Sequence, residues 1–165
     1  MSDTSEQQIQ HHHISWAEIH RDTKKLVGKL LGQGPWKGIV ALTRGGLFPA
    51  AIVAREMGIR VVDTLCITSY EDMQVGTLNV LKTPDSAIQD EGEGWLILDD
   101  LVDTGTTARE ARRLLPKAVF AVVYAKPEGR ETADVFVHDV PQEYWVVFPW
   151  DSEPQYVKPL GGGRD

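Results

Sequence analysis

Apolar positions along the chain fall into two rhythms that take turns. Ser15 is followed three residues later by Glu18, and Trp16, Ile19, Leu26, Val27 and Leu30 recur at helical spacing before Gly32, which predicts a helix over residues 16 to 31. GQGP ends it, and the short apolar run KGIVAL (37–42) reads as a strand. LFPAAIVAREMG carries Pro49 near its start and Gly58 at its end, as a second helix requires. RVVDTLCITSY (60–70) is rich in β-branched residues, while WLILDD (95–100) and AVFAVVYAK (118–126) are continuous apolar runs of the kind buried on both faces of a sheet. Between those two, TTAREARRLL predicts a helix stopped by Pro116. Strand and helix in alternation imply an α/β domain with a mainly parallel sheet flanked by helices.

Two regions resist this grammar. EDMQVGTLNVLKTPDSAIQDEGEG (71–94) is long for a connection in a compact domain, so it is either a mobile functional loop or an excursion that includes a strand near Thr77 to Leu81. Residues 1 to 14 are polar and read as a frayed tail, in which His11, His12 and His13 are solvated rather than ligands. The division expected is therefore a tail over 1–14, one domain over 15–152 with short C-terminal strands, and a second tail over 153–165. There is no internal repeat.

With 165 residues, 42% of them hydrophobic and 25% charged, the chain can bury one core of ordinary size. No run approaches the roughly 20 apolar residues of a spanning helix, and the N-terminus lacks the basic start and apolar centre of a signal peptide, so the cytoplasm is the expected compartment. The lone Cys66 sits in an apolar stretch and reads as a core residue. A formal charge of −7 argues against an extended nucleic-acid face, so an anionic ligand has to be held locally.

Ligands of open α/β sheets collect beyond the carboxyl ends of the strands. Three informative segments lie there: TRGG (43–46), DDLVDTGTT (99–107) and AKP (125–127). In DTGTT the chain turns from strand to helix at Gly105, so backbone N–H groups can point at one anion while Thr104, Thr106 and Thr107 add hydroxyls. The same residues alone could be a capped helix start. Asp99 and Asp100 shift the balance, since ionised carboxylates only accept hydrogen bonds and suit sugar hydroxyls or magnesium. A ligand with a terminal phosphate, a ribose and a metal-bound diphosphate uses the whole stretch.

LDDLVDTGTT resembles the phosphoribosyl diphosphate (PRPP) signature of the type I phosphoribosyltransferases. TRGGLFPAA, the Ser69–Tyr70 pair, YAKPEGR (124–130) and YWVVFPWD (144–151) extend the likeness from about Ile14 to Asp151, and the lysine and tryptophan segments narrow it to the 6-oxopurine branch. The resemblance implies that family's fold, a mainly parallel sheet with a small hood and a flexible loop. It implies transfer of the 5-phosphoribosyl group of PRPP to N9 of xanthine or guanine, and more weakly hypoxanthine, giving XMP or GMP and diphosphate. Arg44 and Gly45 would meet the diphosphate in a loop that often carries a strained or cis peptide. Asp99 and Asp100 would hold the ribose, with Asp100 also serving Mg2+, and Leu101, Val102, Asp103, Thr104, Gly105, Thr106 and Thr107 would complete the PRPP site. Asp103 would lie near the purine N7 as acid or base, alongside Asp99 and Asp100 in the catalytic set. Lys126 would donate to the purine O6, Trp145 would stack on the base, and the Val146 carbonyl would meet the 2-substituent. Standing alone, TRGG is a glycine turn, Lys126 a solvated strand end and Trp145 a core or interface aromatic.

Relatives of this kind form tetramers, and some associate loosely with the inner membrane, although no amphipathic basic helix supports the latter here. In close relatives the 71–94 loop brings an arginine and further basic residues to the diphosphate, where this chain has Gly76 and Asn79. Either Lys82 substitutes, or Arg44 and metal carry the load. That segment is also the expected lid, since water has to be excluded from PRPP. A rival reading is a PRPP-sensing regulator that binds RNA and catalyses little, against which the acidic charge counts.

Overall fold

The computed structural model describes residues 9–69 and 78–151. The predicted helix and strands appear where the pattern places them. Helix α1 (Trp16–Leu30) opens with the full capping box, Ser15 accepting from the Glu18 N–H at 3.2 Å while the Glu18 carboxylate accepts from the Ser15 N–H at 2.8 Å. Strand β2 (Gly38–Leu42) leads to α2 (Leu47–Met57), which ends on Gly58 in the left-handed conformation at φ 68°. Strands β3 (Val62–Ser69), β5 (Trp95–Val102), β6 (Val119–Ala125) and β7 (Val135–Asp139) and helix α4 (Thr106–Leu114) complete the βαβ pattern.

Strand β4 (Leu78–Lys82) lies at one edge, so the six-stranded order is β4-β3-β2-β5-β6-β7, parallel except for the antiparallel β3–β4 pair. Alternate residues of the central strands feed opposite faces. Ile39, Ala41, Leu96 and Leu98 pack with Ile19, Leu26 and Leu30 of α1 and Val53 of α2, whereas Val40, Ile97, Phe120 and Val122 pack with Ala108 and Ala111 of α4. Both faces are covered, which is why these strands read as continuous apolar runs.

Two sequence expectations need correction, and one open choice is decided. Part of the tail expected over 1–14 is a strand: Gln10–His13 form β1, which pairs in parallel with β8 (Tyr144–Val147). The three histidines are thus exposed strand residues, since backbone pairing rather than apolar burial holds them. Of the two readings of 71–94 the excursion holds, since β4 is the strand expected near Thr77 to Leu81. After β4 comes a short helix α3 (Asp85–Gln89), whose Ala87 is buried in the core beneath α4. The part of the expected lid over 71–77, including Gly76, lies outside the described residues. Cys66 is half-buried on β3 rather than enclosed in the core. No described helix is long and apolar enough to cross a membrane.

One polar hub ties the first helix to the sheet. Asp22, buried on α1, accepts from the Tyr124 hydroxyl at 2.8 Å, from Lys25 Nζ at 3.0 Å and from Arg21 Nε at 3.0 Å, with His138 Nε2 at 3.1 Å. Burial works against its ionisation, but these hydrogen bonds prevail and hold its carboxyl well below the usual carboxylate range.

Candidate active site

Strand β5 delivers the acidic pair. Its apolar start, Trp95 to Leu98, is buried, and the strand continues through Asp99 and Asp100 to Val102, two residues beyond the expected 95–100 run, which leaves the acidic pair near its carboxyl end. The Asp99 carboxylate accepts the Asp100 N–H at 2.9 Å, and the Asp100 carboxylate accepts the Leu101 N–H at 2.7 Å. Among the described residues no basic side chain pairs with either. Burial and the adjacent Asp100 charge push the Asp99 carboxyl well up, and burial lifts Asp100 to about 6.

Beyond them, Leu101 is half-buried and Val102 joins the core, while Asp103, Thr104, Thr106 and Thr107 turn outward. Gly105 takes φ 82°, a left-handed conformation that suits glycine, and α4 starts immediately after it. The result is a hollow of about 150 Å³ lined by Asp99 and by Leu101 to Ala108. The Thr104 and Thr106 hydroxyls lie 3.0 Å apart, and Arg109 donates to the Thr104 carbonyl at 3.2 Å. A helix start with free N–H groups and hydroxyls suits a phosphate.

The TRGG loop meets the acidic pair directly. The Thr43–Arg44 peptide is cis, and a side chain at Gly45 would overlap the Asp100 carboxylate. Glycine is therefore required for the loop after β2 to close on the end of β5, with the exposed Arg44 at the rim. Lys126 follows β6, its N–H donating to the Val102 carbonyl at 2.9 Å. Only 4% of Lys126 is exposed, and its ammonium donates to Asp103 Oδ2 at 3.0 Å. A lysine this enclosed is not a solvated strand end.

Gln142, on the connection between β7 and β8, was not legible from the sequence, whose only local signal is the turn at Pro141. Its amide donates to Asp103 Oδ1 at 2.7 Å, and its carbonyl oxygen accepts the Glu128 N–H at 3.1 Å. Trp145 stands outward on β8 with 60% exposure, while the adjacent Val146 is 7% exposed and packs into the core. Just after β8, Trp150 stacks between Phe148 and Phe48 of α2, at centroid separations of 4.7 and 4.0 Å with ring planes 4° apart. These contacts fasten the segment after β8 to α2.

Lys82, one of the two alternatives for replacing the basic loop residues, is otherwise engaged. Its ammonium pairs with Asp63 and donates to the Thr64 carbonyl at 2.9 Å. Asn79 lies in β4 opposite Thr68.

Residues 5–156 match the family model described as phosphoribosyl transferase domain. The xanthine-guanine phosphoribosyltransferase of Nitratidesulfovibrio vulgaris (strain DP4) is 55% identical over 148 residues, covering 89% of this chain and 88% of that protein. The enzyme of the same name from Cereibacter sphaeroides is 47% identical over 154 residues, covering 91% of this chain and 92% of that protein. Among solved structures, a purine phosphoribosyltransferase from Pyrococcus horikoshii superposes with a TM-score of 0.75 at 24% identity, covering 89% of this chain and 98% of that one. This last match speaks for the fold. Together with an acidic pair and a helix-start hollow at the same strand end, these matches establish that the chain belongs to the phosphoribosyltransferase family.

Proposed function

We propose that this enzyme transfers the 5-phosphoribosyl group from PRPP to N9 of xanthine or guanine, and less readily of hypoxanthine, in purine salvage. One observation carries the choice of base: the enclosed Lys126 ammonium is held 3.0 Å from Asp103, the last carboxylate before the phosphate hollow. An ammonium there donates to a 6-oxo group and finds no acceptor in the 6-amino group of adenine.

The roles follow from the chemistry of each group. N–H groups and hydroxyls of Thr104 to Thr107 grip the 5′-phosphate, and Asp99 and Asp100 accept from the ribose hydroxyls. Leu101 and Val102 set the height of that loop, Val102 from the core. As the C1′–diphosphate bond lengthens, positive charge grows on the ribose, which the two carboxylates stabilise. Arg44 at the rim takes up the departing diphosphate, and Gly45 lets its oxygens approach the backbone. N9 then bonds C1′, and Asp103 accepts the proton shed at N7. Trp145 stacks on the base, while the Val146 carbonyl meets the 2-substituent.

Magnesium fits this site on the evidence of the acidic pair. Two carboxylates share a partly buried place with no basic partner among the described residues, and no described cluster of three or more His, Cys, Asp or Glu could hold an ion unaided. Asp100, with Asp99 beside it, would hold Mg2+, whose remaining ligands come from substrate oxygens and water. When bound, the ion neutralises diphosphate charge. The cytoplasm and a homotetramer, with loose membrane association at most, accord with the family likeness. Regulation without catalysis is disfavoured by relatives that share an enzyme's name at 47–55% identity.

Competitive steady-state kinetics with xanthine, guanine, hypoxanthine and adenine in the presence of Mg2+ and PRPP tests the proposal. Turnover is expected with the three oxopurines and not with adenine. Lys126→Met should lower kcat/KM for guanine by about 100-fold, the scale of a lost charged hydrogen bond in an enclosed site. Transfer to adenine at a rate equal to guanine, or an active Lys126→Met enzyme, overturns the assignment.

A further inference from the structure

Asp103 is about half exposed, with 49% of its side chain open to solvent, so packing does not fix the direction of its carboxylate. Hydrogen bonds do. Lys126 Nζ donates to Oδ2 at 3.0 Å, and Gln142 Nε2 donates to Oδ1 at 2.7 Å. Lys126 is the partner that the incoming base must recruit. Once its ammonium turns to a purine oxygen, the bond to Oδ2 weakens just when Asp103 has to be aimed at the base.

Gln142 has no such second duty. Its own orientation is determined by the Glu128 N–H, which its carbonyl oxygen accepts at 3.1 Å. A carboxylate on one side needs a donor and an N–H on the other needs an acceptor, so only one setting of the amide satisfies both. The side chain therefore bridges three strand-end loops: Asp103 after β5, Glu128 after β6, and its own connection between β7 and β8. It also lies three residues before Trp145, on the connection that leads into the strand supplying the outward aromatic.

We propose that Gln142 is a positioning residue that keeps the Asp103 carboxylate aimed at the base after Lys126 has turned to it. The inference rests on the role given to Asp103 under the proposed function. Gln142 touches neither substrate nor reacting atoms; it acts through Asp103. Among the described residues, Lys126 is the one charged side chain bonded to Asp103, and Gln142 is the one neutral donor.

Two near-isosteric variants test the idea. Gln142→Met removes the donor and keeps the volume. Gln142→Glu keeps the acceptor for Glu128 but sets an oxygen against Asp103 Oδ1, and only a shared proton can restore the donor. The expected result is a fall of about 10-fold in kcat/KM for guanine with Gln142→Met at all pH values, the scale of a misaimed catalytic group. Gln142→Glu should fall further at about pH 8 and recover toward wild type near about pH 5, within the carboxyl titration range. The KM for PRPP and the melting temperature should stay near wild type in both. Retention of kcat/KM within about 2-fold in both variants overturns the proposal, as does an equal, pH-independent loss in the two, which marks a structural role. If the wild-type enzyme turns over no purine, the proposed function fails by itself. A crystal structure of Gln142→Met then decides the positioning claim: a displaced Asp103 carboxylate supports it and an unmoved one overturns it.

Discussion

Two adjacent carboxylates at a partly buried strand end lose hydration, and the Asp100 charge further disfavours that of Asp99. Both proton affinities therefore rise in the folded molecule, to about 6 for Asp100 and well upward for Asp99. A carboxyl whose folded value exceeds its unfolded one stabilises the fold in the protonated form. That stabilisation is complete below about pH 4 and is lost as pH rises through about 6. Asp100→Asn should thus raise the melting temperature of the unliganded protein by a few degrees at about pH 8, with the gain vanishing near about pH 4, as calorimetry across pH would reveal. The same change should lower kcat by about 100-fold or more, because the ribose loses a fixed negative charge where positive charge develops. A variant more stable at every pH by the same amount would contradict this origin. Asp99 to Thr107 were readable in sequence because one contiguous stretch carries them. Gln142 was not, since its partner Asp103 lies 39 residues away and only the fold joins them.

Helix α1 illustrates what an element gains from one buried charge. Its apolar residues Ile19, Leu26 and Leu30 face the sheet, and Asp22 on the same side receives a hydrogen bond from β6 through Tyr124 and a contact from His138 Nε2 of β7. Burial costs that carboxylate hydration, and the four donors around it more than offset the loss. Asp22→Ala, which leaves the buried Tyr124 hydroxyl without its acceptor, should destabilise the protein by about 3 kcal/mol in urea denaturation at neutral pH. Because the folded carboxyl titrates below its unfolded counterpart, this contribution is present above about pH 4 and is lost as pH falls lower, so wild type and variant should converge in acid. Elements of this kind were legible because long periodic patterns encode them. Strand β1 was not, since four polar residues carry no apolar alternation and their partner β8 lies near the other end of the chain. Helix α3, five residues long, is too short to show a period.

At the scale of the whole molecule, a net charge of −7 confronts a substrate that is itself a polyanion. The proposed function therefore rests binding on local groups: N–H donors at the helix start after Gly105, the Arg44 guanidinium and a divalent cation that Asp100 would hold. Lys82 adds little to that set, because Asp63 and the Thr64 carbonyl already hold its ammonium. Lys82→Ala should leave the KM for PRPP within about 2-fold of wild type, whereas Arg44→Ala should raise it by about 10-fold or more, the difference between a cation held by Asp63 and one with no carboxylate partner among the described residues. Wild type itself should show a higher KM for PRPP than relatives whose loop supplies basic residues. A large effect of Lys82→Ala in steady-state assays would show that the ammonium leaves Asp63 when substrate arrives. The fold class followed from alternation alone, and the strand-end location of the site from the fold class. Charge arithmetic located none of it, because the groups that attract the anion are mostly backbone N–H groups, invisible to a residue count.

The parallel pairing of β1 with β8 sets an order of events during synthesis. His11 leaves the ribosome early, but its register partner Trp145 emerges only after nearly all the described domain has been made. Until then β1 has no partner strand, although β5 and α4, which line the hollow, have already been made. Trp145, the residue proposed to stack on the base, and the pairing that flanks it are therefore among the last parts of the described fold to be completed.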